Sequence, residues 1–162
     1  MNDLLHQPGF LGTSANWAAD MTLLLSALVA LLLTAGVVLA VRGQYRAHRW
    51  FQTGAATLNA VLVLWLMVLP FRDFVAPPDN PGGLPLSAIA TTRIHAAVGT
   101  LALVFGLFVT LRANKLMPRF LRFNNYKAFM RVAYALYMLA TLIGLFVYIT
   151  WFVGNPSPPS YQ

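Results

Sequence analysis

Residues Met21 to Val41 read MTLLLSALVALLLTAGVVLAV, a stretch without one charged side chain. A helix needs about 20 mostly apolar residues to cross a hydrocarbon core about 30 Å thick, and this run meets that length. Three further runs resemble it: Trp50 to Phe71, Ile94 to Leu111 and Val132 to Val153. None contains Asp, Glu, Lys or Arg. A barrel strand would alternate apolar and polar residues, and these runs do not. The fold class that follows is all-α: a polytopic membrane protein with four transmembrane helices.

The composition agrees. Of 162 residues, 59% are hydrophobic and only 9% are charged, against roughly 25% charged in a soluble domain. A disordered chain would be charge-rich and poor in aromatics. The net charge of +7 would suggest nucleic acid in a soluble protein. In a membrane protein it reads as basic loops facing the cytoplasm, so no nucleic-acid partner is expected. The absence of cysteine excludes disulfides, thiolate metal sites and c-type haem attachment.

Orientation follows from the cations. Arg42, Arg46 and Arg49 lie between the first two spans; Arg112, Lys115, Arg119, Arg122, Lys127 and Arg131 lie between the last two. Only Arg72 and Arg93 fall on the other side, together with Asp3, Asp20, Asp73 and Asp79. The excess of Lys and Arg marks the cytoplasmic side. The chain is thus expected to form two helical hairpins with both termini outside. Residues 1–20 form an outer N-terminal tail, 21–153 the transmembrane domain, and 154–162 an outer C-terminal tail. The N-terminus lacks a basic region before its apolar run, so the first span reads as an uncleaved signal anchor. Asp20 reads as the cap of the first helix. Asp73 to Ser87, rich in Pro and Gly, reads as a surface turn, and Pro156, Pro158 and Pro159 end the last helix.

Polar residues in a membrane are expensive, and each invites an explanation. His95, one step inside the third span, is the candidate ligand for a haem b, a chlorin pigment or a quinone carbonyl, with Asp20 or Arg93 beside it. The plainer alternative is a histidine bonded to a neighbouring helix. His48 opens the second span and reads as a headgroup contact within a cytoplasmic basic face of Arg42, Arg46, Arg49, Lys115, Arg119, Arg122 and Lys127. His48 and His95 lie near opposite faces, about 25 Å or more apart, too far to share one haem. His6 reads as solvent-exposed.

Asn59 sits near the middle of the second span and is expected to bond another helix. Gly99, Ala102 and Gly106 form a small face for close helix packing, with Gly36 and Gly144 in similar roles. Trp17, Trp50 and Trp151 fall at interfaces and read as anchors. Trp65, Phe105 and Phe108 read as bulk facing lipid or a partner. The turns Gln44 to Arg49 and Asn125 to Arg131 share a basic, aromatic character; interface chemistry explains it without ancestry, and a weak internal repeat of the two hairpins is the alternative. No phosphate-binding glycine loop, Gly-x-Ser-x-Gly elbow or His-Glu-x-x-His is present. No acid sits in a span core, which disfavours a carboxylate proton relay.

Several of these features carry a resemblance. His48-Arg49 opening the second span, His95 opening the third, and the basic turn from Tyr126-Lys127 to Arg131 are among them. With Thr141 to Gly144 and Tyr148 they resemble the domain of unknown function 420 family of small four-span bacterial membrane proteins. The resemblance covers most of residues 20 to 153. The family pattern has further histidines near Arg72 and at Tyr126, where this chain has none. Some relatives are implicated in maturation of haem-copper oxidases. Together with the all-helical body, the small extramembrane mass and the missing catalytic constellation, the resemblance leads to the expectation of a non-catalytic accessory or assembly subunit of a respiratory or photosynthetic electron-transfer complex in the bacterial inner membrane, its cofactor open between haem b, a chlorin pigment, a quinone and, the first expectation, none tightly bound. Its partners would be that complex and anionic lipid headgroups. The alternative is a small redox protein holding haem, pigment or quinone at His95.

Overall fold

The computed structural model describes residues 7–121 and 124–153. Arg122 of the expected basic face, His6, residues 1–6 of the N-terminal tail and the tail 154–162 lie outside the described residues. The described chain is helical, with helices α1 (Trp17–Val41), α2 (Tyr45–Val75), α3 (Leu86–Ala113) and α4 (Tyr126–Val153), each long and apolar enough to cross a membrane. α1 packs on α2 and on α4, and α3 packs on α4 and on α2, so the helices form the four corners of a bundle.

Each helix starts and stops for a local reason. α1 begins at Trp17, four residues before the apolar run, because Asn16 caps it: its side-chain oxygen accepts the Ala19 N–H at 2.9 Å. The sequence assigned that role to Asp20, which instead lies within the first turn. α1 ends at Arg42, and the chain turns at Gly43 with φ of 75°, a left-handed conformation that glycine adopts without strain. α2 runs past the expected end at Phe71. Pro70 has no N–H to offer the carbonyl one turn earlier, and wide π-helical turns at Val63–Met67 and Phe71–Val75 carry the helix past it. Arg93 reaches over from α3 to donate to the Val75 carbonyl at 3.1 Å, supplying one orphan acceptor at this helix end. The turn before α3 is held by Asn80, whose amide both donates to and accepts from the Leu84 backbone.

Inward and outward faces separate cleanly on α1. Val29, Leu33 and Gly36 are buried, whereas Leu24, Leu28, Leu31 and Val38 are exposed. Both sets recur at helical spacing, so one stripe faces the bundle and the other faces outward. Two apolar clusters form the core. Val29, Leu33 and Ala55 pack with Leu32, Leu58, Tyr134 and Tyr137 in the bundle interior. Val75, Leu84, Ala88, Ile89 and Trp151 pack with Phe71, Phe74, Val147 and Phe152 at one end. Trp151 is therefore no lipid-facing anchor: it is buried, and its indole N–H donates to Thr92 Oγ1 at 3.0 Å. Phe105 stacks on Phe129 across α3 and α4 at 5.6 Å, and Phe108 lies tilted to the same ring at 6.4 Å.

Candidate functional site

With almost no water in a bilayer core, polar side chains find partners inside the bundle. Here most of them use α4. Tyr134 Oη lies 3.0 Å from Thr34 Oγ1 on α1, and Tyr137 donates to Asn59 Oδ1 on α2 at 2.7 Å. Tyr148 donates to Asp20 Oδ1 on α1 at 2.5 Å. Asn59 thus holds the bundle across its diagonal. Tyr137→Phe leaves that buried oxygen without its donor and is expected to destabilise the bundle by about 0.6–2 kcal/mol. Equilibrium unfolding in mixed micelles checks this, and a variant as stable as the parent would show that the bond carries no weight.

The two span histidines use the same device. His48 Nδ1 lies 2.7 Å from the Gly36 carbonyl, and His95 Nδ1 lies 3.1 Å from the Ala140 carbonyl. A carbonyl only accepts, so Nδ1 carries the proton in both bonds. His48 is buried, which corrects its expected place among headgroups. One turn further on, Gln52 donates to the Leu33 carbonyl at 3.0 Å, so two α2 side chains grip the backbone of α1. Glycine makes room for each grip: a Cβ on Gly36 would meet Gln52, and one on Gly144 would lie 2.9 Å from His95 Cε1. The His95 ring therefore lies against the α4 backbone. Its Nδ1 is committed, which leaves Nε2 as the nitrogen that carries a lone pair in the neutral ring.

Asp20 does not join His95. It is fully buried and accepts from Phe10 N–H at 2.6 Å, Leu11 N–H at 2.8 Å and Tyr148 Oη. Its two carboxyl oxygens thus take three donors, Oδ2 two of them and Oδ1 the third. Its position in the first turn of α1 adds the favourable end of the helix dipole. Tyr148 Oη also lies 2.8 Å from Thr13 Oγ1, and both the backbone N–H and the hydroxyl of Ser14 donate to the Phe152 carbonyl. Residues 7–16 are thus no loose tail. They fold into a tight loop, closed by a Gly9 N–H bond to the Ala15 carbonyl and tied to α1 and α4. Arg93 bonds Val75, as described above, so Asp20, Arg93 and His95 each have separate partners. Among the described residues no His, Asp or Glu cluster could hold a metal ion.

Of the small face, Ala102 is buried, but a Cβ on Gly99 or Gly106 would meet nothing within 4 Å. Both are partly exposed, and no neighbour requires glycine at either position. At the opposite end from Asp20, Arg42, Arg46, Arg49, Lys115, Arg119 and Lys127 are exposed, and Arg49 lies 5.8 Å over the Trp50 ring. Gly43 to Ala47 and Trp50 line an open depression there of about 530 Å³.

Sequence reasoning missed the Asp20–Tyr148 pair, the Gln52 and Trp151 bonds, and the requirement at Gly9. The signal for the first of these was Tyr134, Thr141 and Tyr148 at seven-residue spacing on α4, a face turned inward. Comparison with protein-family models, with curated proteins and with solved structures finds no match to this chain.

Proposed function

We propose that this chain is a non-catalytic accessory or assembly subunit of a bacterial electron-transfer complex, respiratory or photosynthetic. It would sit in the cytoplasmic membrane as two helical hairpins, with the basic end inside and both termini outside. The observation that carries the proposal is the open glycine pair of α3. Interior polar groups are used to fasten helices to one another, whereas Gly99 and Gly106, partly exposed on the same face of α3 as His95 and Ala102, have nothing within 4 Å of where a Cβ would stand. Bare helix backbone lets a second helix approach closely. The resemblance to the domain of unknown function 420 family favours the same reading.

The test is co-purification after gentle solubilisation. The chain is expected to migrate with subunits of a respiratory or photosynthetic complex. Gly99→Leu with Gly106→Leu is expected to abolish that co-migration, whereas Gly99→Ala with Gly106→Ala, whose Cβ atoms meet nothing within 4 Å, should leave the chain's own unfolding midpoint unchanged or raised. A parent chain that always migrates alone at its own size overturns the proposal.

A second reading has a specific observation behind it. The Nδ1–H of His95 bonded to a carbonyl is the arrangement that orients Nε2 of a ligating histidine. In this reading His95 holds a haem, a chlorin or a quinone. It predicts a visible absorption band, or a co-purifying quinone, that His95→Ala removes. A colourless, quinone-free preparation overturns it.

A further inference from the structure

The segment that follows α3 carries an unusual combination. Leu116, Phe120 and Leu121 are 70%, 85% and 46% exposed. They alternate with exposed Lys115 and Arg119, while Met117 between them is buried and holds the turn against the bundle. Lys115 takes the left-handed backbone, φ 62°, and Arg119–Leu121 form a short 3-10 turn. The chain therefore holds large apolar groups away from its own body in a defined conformation.

Depth is set by a second contact. Asn114, which caps α3, donates to Thr53 Oγ1 on α2 at 2.9 Å. Thr53 lies three residues beyond Trp50, about 4.5 Å along the helix. Trp50 is 63% exposed, with Arg49 over its ring and exposed Tyr45 before it. Trp and Tyr so placed mark the headgroup level. The residues just after Asn114 consequently reach the headgroup zone and do not stand clear of it in water.

We propose that residues 115–121 form an interfacial wedge that docks on anionic phospholipid. Leu116, Phe120 and Leu121 enter the boundary between headgroups and acyl chains, and Lys115 and Arg119 engage lipid phosphates. Charge complementarity selects lipid as the occupant: apolar side chains interleaved with cations match a surface that is apolar below and anionic above. This inference rests only on the four helices spanning a membrane, and stands or falls apart from any electron-transfer partner.

The chain has no cysteine, so a single introduced thiol can be labelled cleanly. Leu121→Cys would carry a polarity-sensitive dye on the full chain in nanodiscs, whose two faces are both open to solvent. The discs would be phosphatidylcholine alone or mixed with phosphatidylglycerol. Asp79→Cys, exposed in the turn at the other end, is the aqueous reference. The Leu121 label is expected to be shielded from iodide and quenched by spin-labelled acyl chains, more so with phosphatidylglycerol. Lys115→Gln and Arg119→Gln are each expected to lower the inserted-to-withdrawn ratio about fivefold in the anionic discs and to change little in the neutral ones. A Leu121 label as open to iodide as the Asp79 label overturns the proposal. So does a label shielded from both quenchers, which would mean that protein covers it, or insertion indifferent to lipid charge.

Discussion

Asp20→Ala is expected to destabilise the protein by roughly 3–5 kcal/mol, as three donors lose their acceptor and each unsatisfied group costs about 1–3 kcal/mol where water is excluded. The donors are the N–H groups of Phe10 and Leu11 and the hydroxyl of Tyr148, all converging on a carboxylate with no exposed surface. Tyr148→Phe removes one donor and leaves the other two bonds intact, so it should cost less, about 1–2 kcal/mol. Asp20→Asn should also be milder. By turning its amide, asparagine can keep an oxygen toward the two N–H groups and offer its NH₂ to Tyr148 Oη, which then donates to Thr13. Equilibrium unfolding in mixed micelles gives the order, and limited proteolysis of residues 7–16 reports whether the loop has come free. If Asp20→Ala unfolds at the parent's midpoint with its loop still protected, the carboxylate is not what ties the loop down.

Gly9→Ala should be the second severe change. A Cβ there would lie 2.6 Å from the Ala15 carbonyl oxygen and closer still to Asp20 Oδ2. Neither neighbour is free to retreat: Ala15 O accepts the Gly9 N–H at 2.9 Å, and Asp20 is held by its three donors. Overpacking a fixed site costs about 1–3 kcal/mol, occasionally more. Since the tightest contact is with Asp20, the two substitutions should not add. Gly9→Ala combined with Asp20→Ala is expected to cost less than the sum of the two, by about 0.5–3 kcal/mol. Strict additivity in that cycle would mean that the methyl group is accommodated without touching the carboxylate.

These expectations came from the folded chain, and the reason shows in particular residues. Asp20 stood just before an apolar run and had the chemistry of a helix cap, so local rules assigned it one. Its real partner on α4 is 128 residues away, and no local rule reaches that far. His48 sat among arginines at a helix start and read as a headgroup contact; the carbonyl that claims it belongs to Gly36 on α1, a partner on another helix that no local rule supplies. Trp151 had the position of an interface anchor but turns inward to Thr92. Asn59 was legible as a polar group needing an interhelical partner, though not which helix would supply it; Tyr137, 78 residues on, does so.

Four long apolar helices follow from composition alone. The hydrocarbon core demands about 20 apolar residues per span and a helix to satisfy the backbone within each, and both conditions are local. The sequestration of charge at the loops is equally local. Which face of each helix turns inward is not. α1 and α3 are apolar all round, so on α1 no period in hydrophobicity separates a lipid-facing leucine such as Leu31 from a buried one such as Leu33. The assembled bundle alone makes that choice, through shape and hydrogen bonds between distant residues. It placed Gly36 and Gly144 under imidazole or amide groups, left Gly99 and Gly106 bare, and folded the N-terminal loop onto Asp20.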